Sequence, residues 1–308
     1  MHVHAHGQAG AARARHKGAL LAAVALNLAY TAGEAIAGFA TGSLALLADA
    51  GHNLSDVFAL GIALAAAWLA SRPSTPQRSF GLQRAEILSA LVNGLSLVVI
   101  GAWILVEAAS RFGDPPDVSG GWMSGVAAFG IVVNLASAII LLRVEEGNLN
   151  IRAAVIHLAG DALASVGVVV AGAVIIVFGW QAADPLVSVL IALLILVSSW
   201  SVLRESLRIL LEMTPAGIDA AEVGRRMASV PGVVEVHDLH IWTITSGFPA
   251  LSAHVLVRPG DDCHARRRDL EELLAHELGI EHATLQVDHA QESERLQLAR
   301  FLERRDGR

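Results

Sequence analysis

The chain has 308 residues, 54% hydrophobic and 17% charged, with a mean hydropathy of +0.54, which is too apolar for an ordinary soluble domain and makes a polytopic membrane protein the expectation. The single cysteine, Cys263, excludes an intramolecular disulfide and a thiolate-rich zinc cluster within one chain, so a metal site must be built from His and carboxylate. A net charge of −7 with scattered basic residues argues against nucleic acid as a partner.

Residues 1–17 carry His2, His4, His6 and His16 with Arg13 and Arg15, and no apolar core precedes them, so no cleaved signal peptide is expected. This His-containing stretch reads either as a polar cytoplasmic tail or as a loose metal binder. Six apolar runs follow, at 20–40, 44–70, 87–108, 122–142, 153–178 and 185–203. Each is long enough to cross a hydrocarbon layer of about 30 Å, which takes about 20 helical residues. The sixth continues as a helix past Arg204 and Arg208 to Leu211.

The connection of Thr41, Gly42 and Ser43 forces the first two spans into an antiparallel hairpin, and Gly38 with Gly42 forms a small-xxx-small pair suited to close helix approach. Asn27 and Glu34 fall on one face of the first span. Asn27 reads equally as an interhelical hydrogen bond or as a functional group, whereas a carboxylate such as Glu34 is rarely idle in hydrocarbon. Asn93 and Asn134 read as interhelical hydrogen-bonding groups. Arg13, Arg15, Lys17, Arg72, Arg78, Arg84, Arg143, Arg152, Arg204 and Arg208 lie on one side of the six spans, and only Arg111 lies in a connection on the other. Both termini are therefore expected in the cytoplasm of a cell bounded by an inner (plasma) membrane.

After Leu211 the pattern changes. Residues 218–229 and 263–277 read as helices, and 233–245, 251–258 and 282–287 as strands, with a turn around Ser246, Gly247 and Pro249. The order αββαβ suggests a small α+β domain with both helices on one face of an antiparallel sheet. The expected division is a tail at 1–17, a transmembrane domain at 18–211, a cytoplasmic domain at 212–290 and a charged tail at 291–308.

Within the second span stand His52 and Asp56, and within the fifth His157 and Asp161, each pair four residues apart and so on one helical face. If those spans pack together, two nitrogens and two oxygens converge in a tetrahedral set suited to Zn²⁺. Two carboxylates and two neutral imidazoles balance a divalent cation; when it leaves, protons rebind, which couples metal release to proton uptake. Asp49, three residues before His52, is placed to hold the His52 ring. The imidazoles steer the site away from magnesium and calcium, with Cd²⁺ or Co²⁺ able to share it with zinc.

The stretches Ser43 to Asp56, Phe80 to Leu88, His157 to Asp161 and Val236 to Trp242 resemble the zinc-transporting branch of the cation diffusion facilitator family, divalent-metal/proton antiporters. The resemblance runs from about Asn27 to Asp288. It implies a homodimer of six-span protomers in lipid, a transport site between spans two and five, and a cytoplasmic domain of ferredoxin-like, metallochaperone-like fold. It also implies metal efflux by alternating access against protons. His237, His254 and Asp288 stand where the family has a regulatory metal site, and His264, with Cys263 beside it, is positioned to join them. Gln286 replaces a His found in some relatives, and the loop 71–84 has no His, Asp, Glu or Cys.

Two other functions compete. An intramembrane metalloenzyme needs an open coordination position for water, which a four-ligand set closes, and His276 and Glu277 lack a second His at zincin spacing. A membrane-tethered metal sensor has no need of a charge-balanced site halfway through the bilayer.

Overall fold

A computed structural model describes residues 4–142 and 149–290, with side chains placed for 23–142 and 154–290. His2, the side chains of His4, His6 and His16, and the charged stretch 291–308 lie outside the described residues.

Six long helices come first: α1 (His4–Thr41), α2 (Leu44–Ala70), α3 (Ala85–Arg111), α4 (Gly120–Leu142), α5 (Leu149–Phe178) and α6 (Ala183–Leu210). Each contains a stretch long and apolar enough to cross a membrane. The backbone is already helical at His4, where a polar tail is the sequence expectation; the Ala, Arg, Gln and Lys found there are strong helix formers.

The chain forms two compact units, one of Met1–Leu64 with Val92–Leu203 and the other of Ala65–Leu91 with Arg204–Arg308. The loop after α2 belongs with the second unit. There Arg84 pairs with Glu212 at 2.9 Å, and Thr245 donates to the Gln83 carbonyl at 3.2 Å.

In the first unit the helices meet at small residues. A Cβ on Gly38 would lie 2.9 Å from Leu47, one on Gly94 2.9 Å from Leu203, and one on Gly101 3.0 Å from Leu196. Gly42, the other half of the expected packing pair, has nothing near its Cβ position; its φ of +70° makes the turn between α1 and α2 instead. An apolar core that includes Leu44, Leu46, Ile104, Met123, Val168, Ile175 and Ile195 fills the end of this bundle that carries the α1–α2, α3–α4 and α5–α6 connections.

In the second unit follow α7 (Ala220–Ala228), β1 (Val233–Thr245), β2 (Phe248–Val257), α8 (Cys263–Leu278) and β3 (His282–His289). The sheet order is β1-β2-β3, with β1 antiparallel to β2 but β2 parallel to β3. The expectation of an all-antiparallel sheet is thus corrected: β2 and β3 are joined through α8, and a helical crossover returns the chain in the same direction. The β1–β2 turn is only Ser246 and Gly247, so Pro249 belongs to β2. It precedes the residues that pair with β3, where its missing N–H does no harm. Val223 and Met227 of α7, Leu270 and Leu274 of α8, and Leu251, Val255 and Val257 of β2 form the core. Asp219 and Asp262 cap the two helices by accepting backbone N–H bonds. Bonds from Ala265 and His264 hold the Asp262 carboxyl below the usual carboxylate range, with Arg268 and His264 adding to the effect.

Candidate metal centre

The His-x-x-x-Asp pairs of α2 and α5 face each other. His157 Nε2 lies 3.0 Å from Asp56 Oδ2 and 3.8 Å from Asp161 Oδ2, while His52 Nε2 lies 3.7 Å from both Asp56 Oδ2 and Asp161 Oδ1. The two imidazole rings are 6.1 Å apart at 76°. With zinc–nitrogen and zinc–oxygen bonds of about 2.0–2.2 Å, the edges of a tetrahedron measure about 3.3–3.6 Å, and the four spacings bracket that range. Among the described residues no group of three or more His, Cys, Asp or Glu stands close enough to hold a metal ion without adjustment. Shortening three spacings by a few tenths of an ångström and lengthening one would close this one.

These donors line a cavity of about 430 Å³ together with Asn93 and Leu97 of α3, Ala164 of α5, and Ile195, Ser198 and Val202 of α6. The lining comes from the first half of α3, from α5 between His157 and Ala164, and from α6 between Ile191 and Val202; at Leu97 and Ile195 it borders the apolar core described above. Side-chain exposure falls from 50% at His157 and 29% at Asp56 to 18% at His52 and 9% at Asp161.

Asp49 is 1% exposed, but it does not hold His52. Its Oδ2 accepts from Ser165 of α5 at 3.2 Å, while its Oδ1 and the Nδ1 of His52 are both buried without a hydrogen-bond partner. The expected Asp49–His52 bond is thus replaced by one between α2 and α5, and Ser165 gains a role. Ser55 donates to Asn93 at 3.3 Å, as an interhelical reading of Asn93 requires. Asn134, by contrast, is buried with its Nδ2 unpartnered.

On α1, Asn27 donates to the Ala23 carbonyl and, at 2.9 Å, to Ser137 of α4, so it ties helices together. Glu34 is 1% exposed; it accepts from Tyr30 at 2.6 Å and from Asn53 at 3.4 Å. Tyr30 escapes sequence reasoning, although its place four residues before Glu34 in an apolar run is a signal.

In the second unit His237 and His254 are cross-strand partners with rings 5.3 Å apart. Gln286 pairs with His254 on the other side and donates to Asp288 at 2.8 Å, so Asp288 is engaged by the very residue that replaces a His. His264 is not brought to this group: it opens α8, which packs on the opposite, core face of the sheet. Cys263 lies 3.6 Å from His289 rather than joining His264. A bulge after His237 puts Asp238 at φ +53°, with its carboxylate 3.0 Å from His240 and 3.9 Å from His254. Neither the bulge nor the His289 contact is legible in the sequence.

Residues 20–211 match the model of the cation efflux transmembrane domain, and residues 215–290 that of the cation efflux protein cytoplasmic domain. The chain is 42% identical to the cadmium, cobalt and zinc/H(+)-K(+) antiporter of Bacillus subtilis, over 89% of each chain. It is 41% identical to the zinc transporter ZitB of Escherichia coli, over 94% of this chain and 92% of that one. A solved structure, the metal-bound C-terminal domain of the CzcD transporter from Cupriavidus metallidurans, is 37% identical over 23% of this chain and 97% of that one, with a TM-score of 0.22.

Proposed function

Because this chain belongs to the cation efflux family, the cation diffusion facilitators, we propose that it exports Zn²⁺ from the cytoplasm in exchange for protons, with His52, Asp56, His157 and Asp161 holding the ion. It is a membrane transporter, not an enzyme. The observation that carries the reading is the meeting of two imidazoles and two carboxylates in the wall of a cavity of about 430 Å³ inside the bundle. A substrate site needs such a cavity for entry, whereas a structural zinc site needs none.

The charge of the site supplies the exchange. Two carboxylates and two neutral imidazoles neutralise a divalent ion in low dielectric, and the same groups are unfavourable there when bare. Departure of the ion therefore leaves positions that protons fill, and a proton gradient across the membrane turns the cycle. In an alternating-access cycle the described conformation is the one in which cytoplasmic zinc reaches the ligands. The bias of Lys and Arg toward the connections on the termini's side puts that side in the cytoplasm and the apolar-filled end outside, in the plasma membrane. The relatives' names cover cadmium and cobalt as well as zinc, and a site with two imidazoles is suited to all three.

The protein acts as a homodimer, which the matched cytoplasmic dimer domain supports. In that domain the His237–His254 pair with Asp288 forms a regulatory metal position, without His264. The test of the main reading is zinc uptake into inverted membrane vesicles with an imposed pH gradient. Uptake that stops when the gradient is dissipated and is absent in Asp161→Ala supports it. Uptake indifferent to either change sinks it.

A further inference from the structure

The closed end of the first unit is held by a carboxylate to which neither the ligand set nor the sequence pattern draws notice. Asp184, at the start of α6, is fully buried. Its Oδ1 accepts from the Ser43 hydroxyl at 2.6 Å and from the Ala45 N–H at 3.1 Å, and its Oδ2 accepts from the Leu44 N–H at 2.8 Å. Ser43 is also fully buried, and its hydroxyl in turn accepts from the Leu46 N–H at 3.2 Å. The first turn of α2, the helix that carries His52 and Asp56, is therefore capped by a side chain from another helix. Arg111, at the end of α3, stands 4.0 Å from the same carboxylate and donates to the Gly42 carbonyl at 2.6 Å. One buried charge thus gathers the ends of α2, α3 and α6 at the end of the bundle opposite to the mouth of the cavity.

We propose that Asp184 is the positioning residue that keeps this end shut, fixing α2 to α6 while the metal site is open at the other end. The physical reason is the count of groups that would be stranded. Separating α2 from α6 takes the partners from a buried carboxylate, a hydroxyl and two helix-start N–H groups, each of which must find another. The bonds are charge-assisted and short, so the shut arrangement is favoured as one of two discrete packings rather than graded. An ion leaving toward that end requires them to be exchanged for others, which makes Asp184 a setting of the balance between the two access states.

The geometry stands by itself; its consequence for flux rests on the transport reading, and the experiment keeps the two apart. In a Cys263→Ser background, Val202→Cys places a thiol in the wall of the open cavity. Inverted vesicles are treated with a membrane-impermeant maleimide, which needs no zinc and no transport. Asp184→Asn removes the charge, and Ser43→Ala removes one of the carboxylate's three bonds, together with the hydroxyl's bond from Leu46, while leaving the carboxylate, so the second variant carries the test if the first does not fold. The expected result is a several-fold slower labelling of the introduced thiol in Asp184→Asn and a smaller slowing in Ser43→Ala, at unchanged final extent. Zinc half-saturation from the same side should rise by the factor by which labelling slows, because apparent affinity scales with the population of the competent state. A role in general stability alone would lower the final extent and the maximal flux, and leave both the labelling rate and half-saturation of the folded fraction where they were. That outcome, or labelling at the parent rate in both variants, overturns the proposal.

Discussion

His157 Nε2 and Asp56 Oδ2, 101 residues apart in the chain, lie 3.0 Å apart in space, the shortest link between the two halves of the metal centre. That link is between α5 and α2, so the proposed ligand set comes together only while these helices are packed against each other. Asp56→Ala or His157→Ala should each lower zinc affinity by more than the roughly 10–100-fold that loss of an outer partner of a ligand brings. Equilibrium dialysis of the purified protein against zinc measures this, and retention of parental affinity by either variant would remove that residue from the set.

Asp49 stands apart from the ligands, bonded to Ser165. Asp49→Asn should reduce zinc transport less than Asp56→Asn, and Ser165→Ala should move it in the same direction. Initial uptake rates in vesicles report the order. Equal loss from Asp49→Asn and Asp56→Asn would mean that Asp49 meets the ion directly.

His52 is the more buried imidazole, at 18% side-chain exposure against 50% for His157. Replacing it by Asp changes the donor set from two nitrogens and two oxygens to one nitrogen and three oxygens. That shift toward harder ligands should admit manganese, which favours oxygen. Competition of zinc uptake by manganese in His52→Asp vesicles tests it; selectivity like that of the parent would place discrimination elsewhere.

Packing of α4 against α5 rests on glycine. A Cβ on Gly172 would fall 2.8 Å from the Gly120 carbonyl, which is backbone and has little freedom to yield. Gly172→Ala should destabilise the bundle by about 1–3 kcal/mol, read as a lower thermal midpoint in detergent. Gly61→Ala, inside α2 with nothing within 4 Å, serves as the control that should not lower it.

In the cytoplasmic domain the depressed Asp262 carboxyl gives a pH dependence of known sign. A carboxylate whose pKa is lowered by folding stabilises above its unfolded value, about 3.9, and that contribution disappears as pH falls through the folded value. Protection of the His264 and Ala265 amides, taken relative to the intrinsic exchange rate at each pH, should therefore be high at neutral pH, fall in acid, and be low at both in Asp262→Ala. Equal exchange in parent and variant at neutral pH would contradict the capping role.

Much of this is legible in the sequence because the signals are local. The six spans follow from uninterrupted apolar length, and the ligand pairs follow from a four-residue spacing placed where ionisable groups are costly. What is not legible depends on partners far away in the chain. Ser43 and Asp184 are 141 residues apart, and Asp184 next to Pro185 reads as an ordinary helix start. The direction of β3 escapes because alternation tells which face a strand buries, not which neighbour it joins. Helical proximity alone assigns Asp49 to His52, and it cannot weigh a competing hydroxyl on α5. Likewise nothing local separates His264 from His237 and His254; only the sheet, standing between its two faces, does so.

The central claim is that one four-ligand site exchanges zinc for protons, and the most direct measurement follows both ions at once. Sealed proteoliposomes holding a pH-sensitive dye and a zinc-sensitive dye would be given zinc on the side to which the cavity opens. Zinc accumulation accompanied by alkalinisation of the lumen, with both signals absent in Asp161→Ala, is the predicted result. Zinc accumulation with no proton counterflow, or with both signals intact in Asp161→Ala, would contradict it.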